Sequence, residues 1–215
     1  MLRRLPIIGL FGSGTKITPE RAALARDVGL LVARLGAHLL TGASYAVTEA
    51  AAEGFVSVKR RRGVCIGSIA RDATGTFDKA NAGDDGTPYP NRYIEVAVFT
   101  TVPAIDGVLN NTERARVDVL TANAIVALPG SVGGRGELQT AATCNGDAAK
   151  QPGERRTVLV GPTEEFPHEL RNLFVQLATA ADAEAHLCRV LVAQGFHMDR
   201  LVRRPPAASP RTNMG

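Results

Sequence analysis

Between residues 6 and 160, six short apolar runs alternate with segments whose apolar residues recur at helical spacing. The runs 6–11, 37–41, 63–69, 93–99, 124–128 and 157–160 read as strands, and 93–99 (YIEVAVF) alternates cleanly. Residues 19–35 read as a helix: Leu24, Val28, Leu31 and Leu35 form one stripe behind a Thr18 N-cap and a Pro19 at the first helical position. Val47, Ala50, Ala51, Gly54, Phe55 and Val58 mark a second helix. Residues 114–121 predict a third, and Glu137, Leu138, Ala141 and Ala142 lie on a fourth. Two more are expected at 167–179 and 182–194. Strands alternating with helices imply a mostly parallel sheet with helices on both faces. The expected fold class is therefore α/β, a Rossmann-like three-layer fold forming a single domain over residues 1–203.

In such a sheet, ligands bind beyond the C-terminal strand ends, which places the informative loops at 12–18, 42–46, 71–91 and 129–136. The stretch 71–91 is polar, aperiodic and too long for an ordinary connection, so it reads as an insertion or lid. Residues 204–215 hold three prolines and no apolar periodicity, as a disordered tail does.

The loop after the fifth strand carries the strongest signal. Pro129-Gly130-Ser131-Val132-Gly133-Gly134-Arg135-Gly136-Glu137 sits between a strand end and a helix start. Gly130, Gly133 and Gly134 allow close backbone approach, and N–H groups there can form an anion nest on the positive end of the helix. Glu137 is expected in the first turn, where it either complements the helix dipole or faces the ligand. The first loop, Gly12-Ser13-Gly14-Thr15-Lys16, lacks the third glycine of a dinucleotide fingerprint and has no GK[ST] ending. Strand two ends in Thr41-Gly42 rather than in an acid that would grip a ribose diol. These features disfavour NAD. They fit a small phosphate-bearing ligand held by Gly12 and Ser13, by Thr41, Gly42 and Ser44, and by Gly130, Ser131, Gly133 and Gly134. Arg114 and Arg116 precede that loop; on a helix they diverge, so one faces the cleft and the other solvent.

Composition narrows the alternatives. No apolar stretch approaches the ~20 residues of a membrane span, and no secretory leader is legible. A cytoplasmic protein without a membrane partner is expected. The net charge of +4 is peripheral: without the three arginines at 203–211 and the four cations at 59–62 the balance becomes −3. With no Trp and only three Tyr, stacking platforms are scarce, and nucleic acid is not an expected partner. Three dispersed cysteines and four histidines without ligand spacing suggest neither a disulfide framework nor a metal site. The four lysines offer no good candidate for a buried Schiff base.

The stretch 129–137, PGSVGGRGE, resembles the PGGxGTxxE motif of the Lonely Guy (LOG) family, long labelled possible lysine decarboxylases. Serine stands for the second glycine and Gly134 for the threonine. Arg114 matches the arginine that precedes the motif, with Ala115 in place of the usual lysine. Residues 7–13, 40–44 and 49–54 resemble the wider superfamily, and LLTG and Tyr89-Pro90-Asn91 lean towards its molybdenum-cofactor-carrier-like branch. The resemblance implies a Rossmann-like homodimer. It also implies a phosphoribohydrolase that cleaves the N-glycosidic bond of a nucleoside 5′-monophosphate, with Arg114 and Glu137 as catalytic residues and no cofactor required. The alternative is a non-catalytic carrier or sensor of a phosphorylated ligand such as molybdopterin. Ala46, where the family has a glycine, adds a Cβ to a loop expected to approach its ligand closely.

Overall fold

The computed structural model describes residues 4–14, 17–70, 89–100, 111–130 and 132–198. Its strands are β1 (Ile7–Phe11), β2 (His38–Thr41), β3 (Cys65–Ala70), β4 (Val96–Thr100), β5 (Ala124–Ala127), β6 (Thr157–Val160) and β7 (Val175–Leu177). Its helices are α1 (Pro19–Arg34), α2 (Val47–Val56), α3 (Asn111–Thr121), α4 (Val132–Asn145), α5 (His168–Arg171) and α6 (Ala180–Ala193). Among the described residues the strands form one sheet in the order β4-β3-β2-β1-β5-β6-β7. Every pairing is parallel. This is the expected Rossmann-like α/β architecture.

Period-two alternation divides each central strand between two cores. Ile8 and Leu10 of β1, Val126 of β5 and Val158 of β6 face α1, α2 and α6, where Val28, Val32, Phe55, Leu187 and Leu191 are buried. Phe11, Ile125, Ala127 and Leu159 face the other way, against Val119 of α3, Leu138 and Ala141 of α4, and Leu170 and Phe174. Helix ends follow local chemistry: Thr18 Oγ1 accepts from Arg21 N at 3.3 Å with Pro19 behind it, and Thr179 with Asp182 forms a reciprocal capping box on α6. The end of α2 is tied by Arg61, which donates to the carbonyls of Val56 and Val58 and pairs with Glu95. The cations at 59–62 thus include a helix-end ligand, and Val58 lies beyond the helix it was expected to extend.

Three expectations are corrected. The helix expected over 167–179 is one turn, α5, followed by β7, which pairs Val158 with Val175 and Val160 with Leu177. The helical spacing of Leu170, Leu173 and Phe174 masks a three-residue strand whose backbone completes the ladder on β6. Second, β4 begins at Val96, and its alternation does not become burial: as a parallel edge strand it leaves both Val96 and Val98 exposed. Third, α4 begins at Val132, so Gly133, Gly134 and Gly136 lie inside the helix. Glu137 consequently sits in the second turn rather than the first. The predicted lid falls outside the described residues up to 88, as does the tail at 204–215.

Candidate functional site

The chain runs outward from β1 through β2 to β4, then returns across the sheet to β5, so β1 and β5 are neighbours at the point where strand order reverses. Loops on either side of such a point splay apart and leave a crevice at the C-terminal strand ends. The expected glycine turns meet there. A Cβ on Gly130, after β5, would stand 3.0 Å from Ser13 N and 3.2 Å from Gly12 C, so the two loops touch through backbone. A Cβ on Gly12 would strike Val47 Cγ1 at 2.4 Å. Ser13 is buried, and its carbonyl accepts from Val47 N at 3.1 Å, which joins the first loop to the start of α2. Gly133 and Gly134 occupy the first turn of α4, where N–H groups lack intrahelical acceptors. Ser131 lies outside the described residues.

The β2 loop builds the adjacent wall. Thr41 is buried and uses its hydroxyl to accept from Ala43 N at 3.1 Å, supporting a residue with φ of 58°. Asn91 is buried beside it, accepting Tyr93 N on Oδ1 and donating through Nδ2 to the Ser44 carbonyl at 2.7 Å. Ala46, at the N-cap of α2, has φ 55° and ψ −111°, a conformation that glycine tolerates and a Cβ does not.

Gly42 is the pivot of the site. A Cβ there would come within 2.7 Å of Arg114 Nη1 and 3.1 Å of its Cζ, so the guanidinium in this position lies where a side chain at 42 would displace it. Arg114 Nη1 donates to the Gly42 carbonyl at 3.1 Å, and its Nη2 lies 3.6 Å from Glu137 Oε1. Both side chains are 13% exposed. Of the two candidate arginines, Arg114 therefore faces the crevice, and Arg116 is exposed. The Tyr89 hydroxyl donates to the same Gly42 carbonyl at 3.3 Å; burial pushes its ionisation up, against the opposing pull of Arg114.

Sequence reasoning missed Asp118, one helical turn beyond Arg114 on α3 and only 2% exposed. The spacing of four from Arg114 was the available signal. Burial pushes the Asp118 carboxyl up to about 6, against the pull of Arg114 and of the Ser68 hydroxyl. Burial pushes Glu137 up to about 7; Arg114 opposes this and Asp118 reinforces it. Both Asp118 oxygens, Glu137 Oε2, Arg114 Nε and Ser68 Oγ are buried without a well-formed hydrogen bond. The cleft thus holds two buried carboxyls, one guanidinium and spare hydrogen-bonding capacity beside a helix N-terminus. Among the described residues, no cluster of three or more His, Cys, Asp or Glu could hold a metal ion. None of the described helices is long and apolar enough to cross a membrane.

Residues 5–148 match the SLOG cluster4 family. The chain belongs to that family. No curated protein matches the sequence. Among solved structures, the molybdenum cofactor carrier protein of Chlamydomonas reinhardtii is similar at 24% identity and TM-score 0.61, over 88% of this chain and 99% of that one. The molybdenum cofactor binding protein of Rippkaea orientalis is 21% identical with TM-score 0.60, over 88% and 98% of the two chains. DNA processing protein A of Helicobacter pylori, described as binding single-stranded DNA, shares 10% identity and TM-score 0.58, over 89% and 82%. At these identities the SLOG cluster4 chain shares a fold with all three. The two molybdenum-cofactor proteins are matched over almost their whole length.

Proposed function

We propose that this protein binds a small phosphate-bearing heterocyclic ligand of the molybdenum-cofactor type and carries or presents it without cleaving it. The observation that carries this reading is the junction at the strand reversal. There Gly12 and Gly130 bring two loops into backbone contact beside the first turn of α4, and the Arg114–Glu137 pair lies alongside. Unpaired N–H groups at a helix start suit a phosphate, and the buried Glu137 carboxyl suits an N–H group of a pterin edge. In this reading Gly12, Ser13, Gly130, Gly133 and Gly134 hold the phosphate, while Thr41, Gly42 and Ser44 shape the wall opposite. The cofactor is cargo, and the protein's contribution is burial and orientation. Similarity to the two molybdenum-cofactor proteins supports the same reading.

A second reading, a nucleoside 5′-monophosphate phosphoribohydrolase, is favoured by one observation: Arg114 and Glu137 face each other within a phosphate-type crevice. As the base leaves, positive charge builds on the ribose, and a carboxylate nearby stabilises that charge or orients the attacking water. A carboxyl held near neutrality suits a water-activating base. It suits an anionic partner for a sugar cation less well, because a large fraction stays protonated at pH 7. Incubation with a panel of nucleoside 5′-monophosphates and chromatography of the products separates the readings. Carriage predicts no free base above background. Hydrolysis predicts equimolar base and ribose 5-phosphate, abolished in Glu137→Gln.

A further inference from the structure

The buried acid on α3 is absorbed by neither reading. Asp118 is 2% exposed, far from the surface position an unpaired aspartate normally takes. It shares the face of α3 that carries Arg114, and Glu137 reaches the same guanidinium from α4. Neither Asp118 oxygen has a well-formed hydrogen bond, and Glu137 Oε2 has none. The groups around them are Arg114 on α3, Ser68 on β3 and Tyr89 ahead of β4, with Tyr45 beside Tyr89. Arg114 is the one cation among these groups. Two ionised carboxylates beside a single guanidinium would leave a net negative charge out of water, which is costly at low dielectric.

We propose that Asp118 is a positioning residue that shares one proton with Glu137 across Arg114, so that the site is neutral when empty and takes up a proton when an anion enters beside α4. The proton comes from solvent and returns there when the anion leaves. The uptake follows from charge. An anion at the first turn of α4 lies ~7 Å along the helix from Glu137, close enough to disfavour the second ionisation. The proton-sharing pair stands on the buried geometry alone; its coupling to anion entry rests on the ligand-binding reading. An Asp118 too far from Glu137 to share its proton would titrate independently of it.

The test follows the carboxyl carbons of Asp118 and Glu137 by NMR between pH 4 and 9, in the full-length wild type, Asp118→Asn and Glu137→Gln. Asp118→Asn should move the upper, Glu137 step down by at least half a pH unit, because it removes the charge against which that step occurs; Glu137→Gln should leave Asp118 a single step with none near neutrality. In wild type the two should titrate in separate steps, the upper one near neutrality. Sulfate, whose charge is constant over this range, should raise the upper midpoint in wild type and leave the surviving carboxyl of each variant less affected. If Asp118→Asn does not fold, Glu137→Gln still reads the pair: the Asp118 carboxyl carbon should follow both steps in wild type and only one in the variant. A Glu137 midpoint unmoved in Asp118→Asn, or an Asp118 curve in wild type with the same single step as in Glu137→Gln, overturns the pair. Coupled midpoints insensitive to sulfate overturn the uptake on anion entry and leave the pair standing. Failure to bind a pterin changes neither titration, so it refutes the functional reading separately.

Discussion

Arg114 Nη2 stands 3.6 Å from Glu137 Oε1, while Nη1 of the same guanidinium donates to the Gly42 carbonyl at 3.1 Å. One side chain therefore ties α3 to α4 and to the end of β2, at the mouth of the crevice where strand order reverses. Local packing depends on this planar fork, which a single ammonium cannot reproduce, and in the proposed reading ligand recognition depends on it as well.

Arg114→Lys should consequently fail almost as badly as Arg114→Ala. Each should weaken binding of a phosphate-bearing ligand at least tenfold, and Arg114→Ala should cost about 3 kcal/mol of stability at pH 8, where a buried carboxylate loses its partner. Isothermal titration and urea unfolding measure the two effects. Wild-type affinity in Arg114→Lys would show that the fork is not used.

Gly42→Ala tests the same contact from the other side. The new Cβ would stand 2.7 Å from Nη1, so the guanidinium must leave its place against the β2 turn. The clashing atoms are the far end of a flexible side chain that can shift, so the expected stability cost is about 1 kcal/mol, the low end for overpacking, with ligand affinity falling alongside. A variant that melts as wild type and binds as wild type would mean that Arg114 has another equally good position.

Glu137 makes stability depend on pH with a defined sign. Its folded-state carboxyl lies near 7, above the ordinary 4.5, so the folded protein holds a proton that the unfolded chain releases. The stabilisation is fully present below 4.5, declines between 4.5 and about 7, and is lost above that. Glu137→Gln should therefore gain on wild type, by on the order of 2 kcal/mol, as pH rises through that window. Asp118 contributes a parallel decline between 3.8 and about 6 that remains in the variant. Denaturant unfolding at half-unit intervals reads the difference, and a gap that stays constant with pH would contradict the assignment.

Much of this was legible locally. Thr18 and Pro19 start α1 through short-range chemistry, and β1, β2, β5 and β6 announce themselves as apolar runs between turn residues. The missed parts depend on distant partners. β7 spans Val175–Leu177, and it is a strand because β6 offers an unpaired edge, which helical spacing nearby conceals. Gly133, Gly134 and Gly136 look like loop, yet Leu138 and Ala141 pack against the sheet and draw the helix back to Val132. Asp118 was legible only as a residue one turn from Arg114; its meaning as a site residue comes from α4 and β3, which approach it only in the folded chain.

Ala46 is a place where local preference and the fold disagree. Its φ of 55° and ψ of −111° strain any residue with a Cβ. Ala46→Gly should relieve more than the added chain entropy costs, a net gain of about 1 kcal/mol or ~2–4 °C in melting temperature for a chain of this size. Calorimetry checks this, and a lower melting temperature would mean that the loop holds Ala46 without strain.

The central claim is that the crevice beside Arg114 retains a pterin-type ligand intact. It is tested most directly by purifying wild type and Gly42→Ala without oxygen from a host that makes molybdenum cofactor, then quantifying bound pterin and molybdenum on each. The account predicts pterin and molybdenum together on wild type, at least tenfold above the variant. Wild-type protein that carries neither would contradict it.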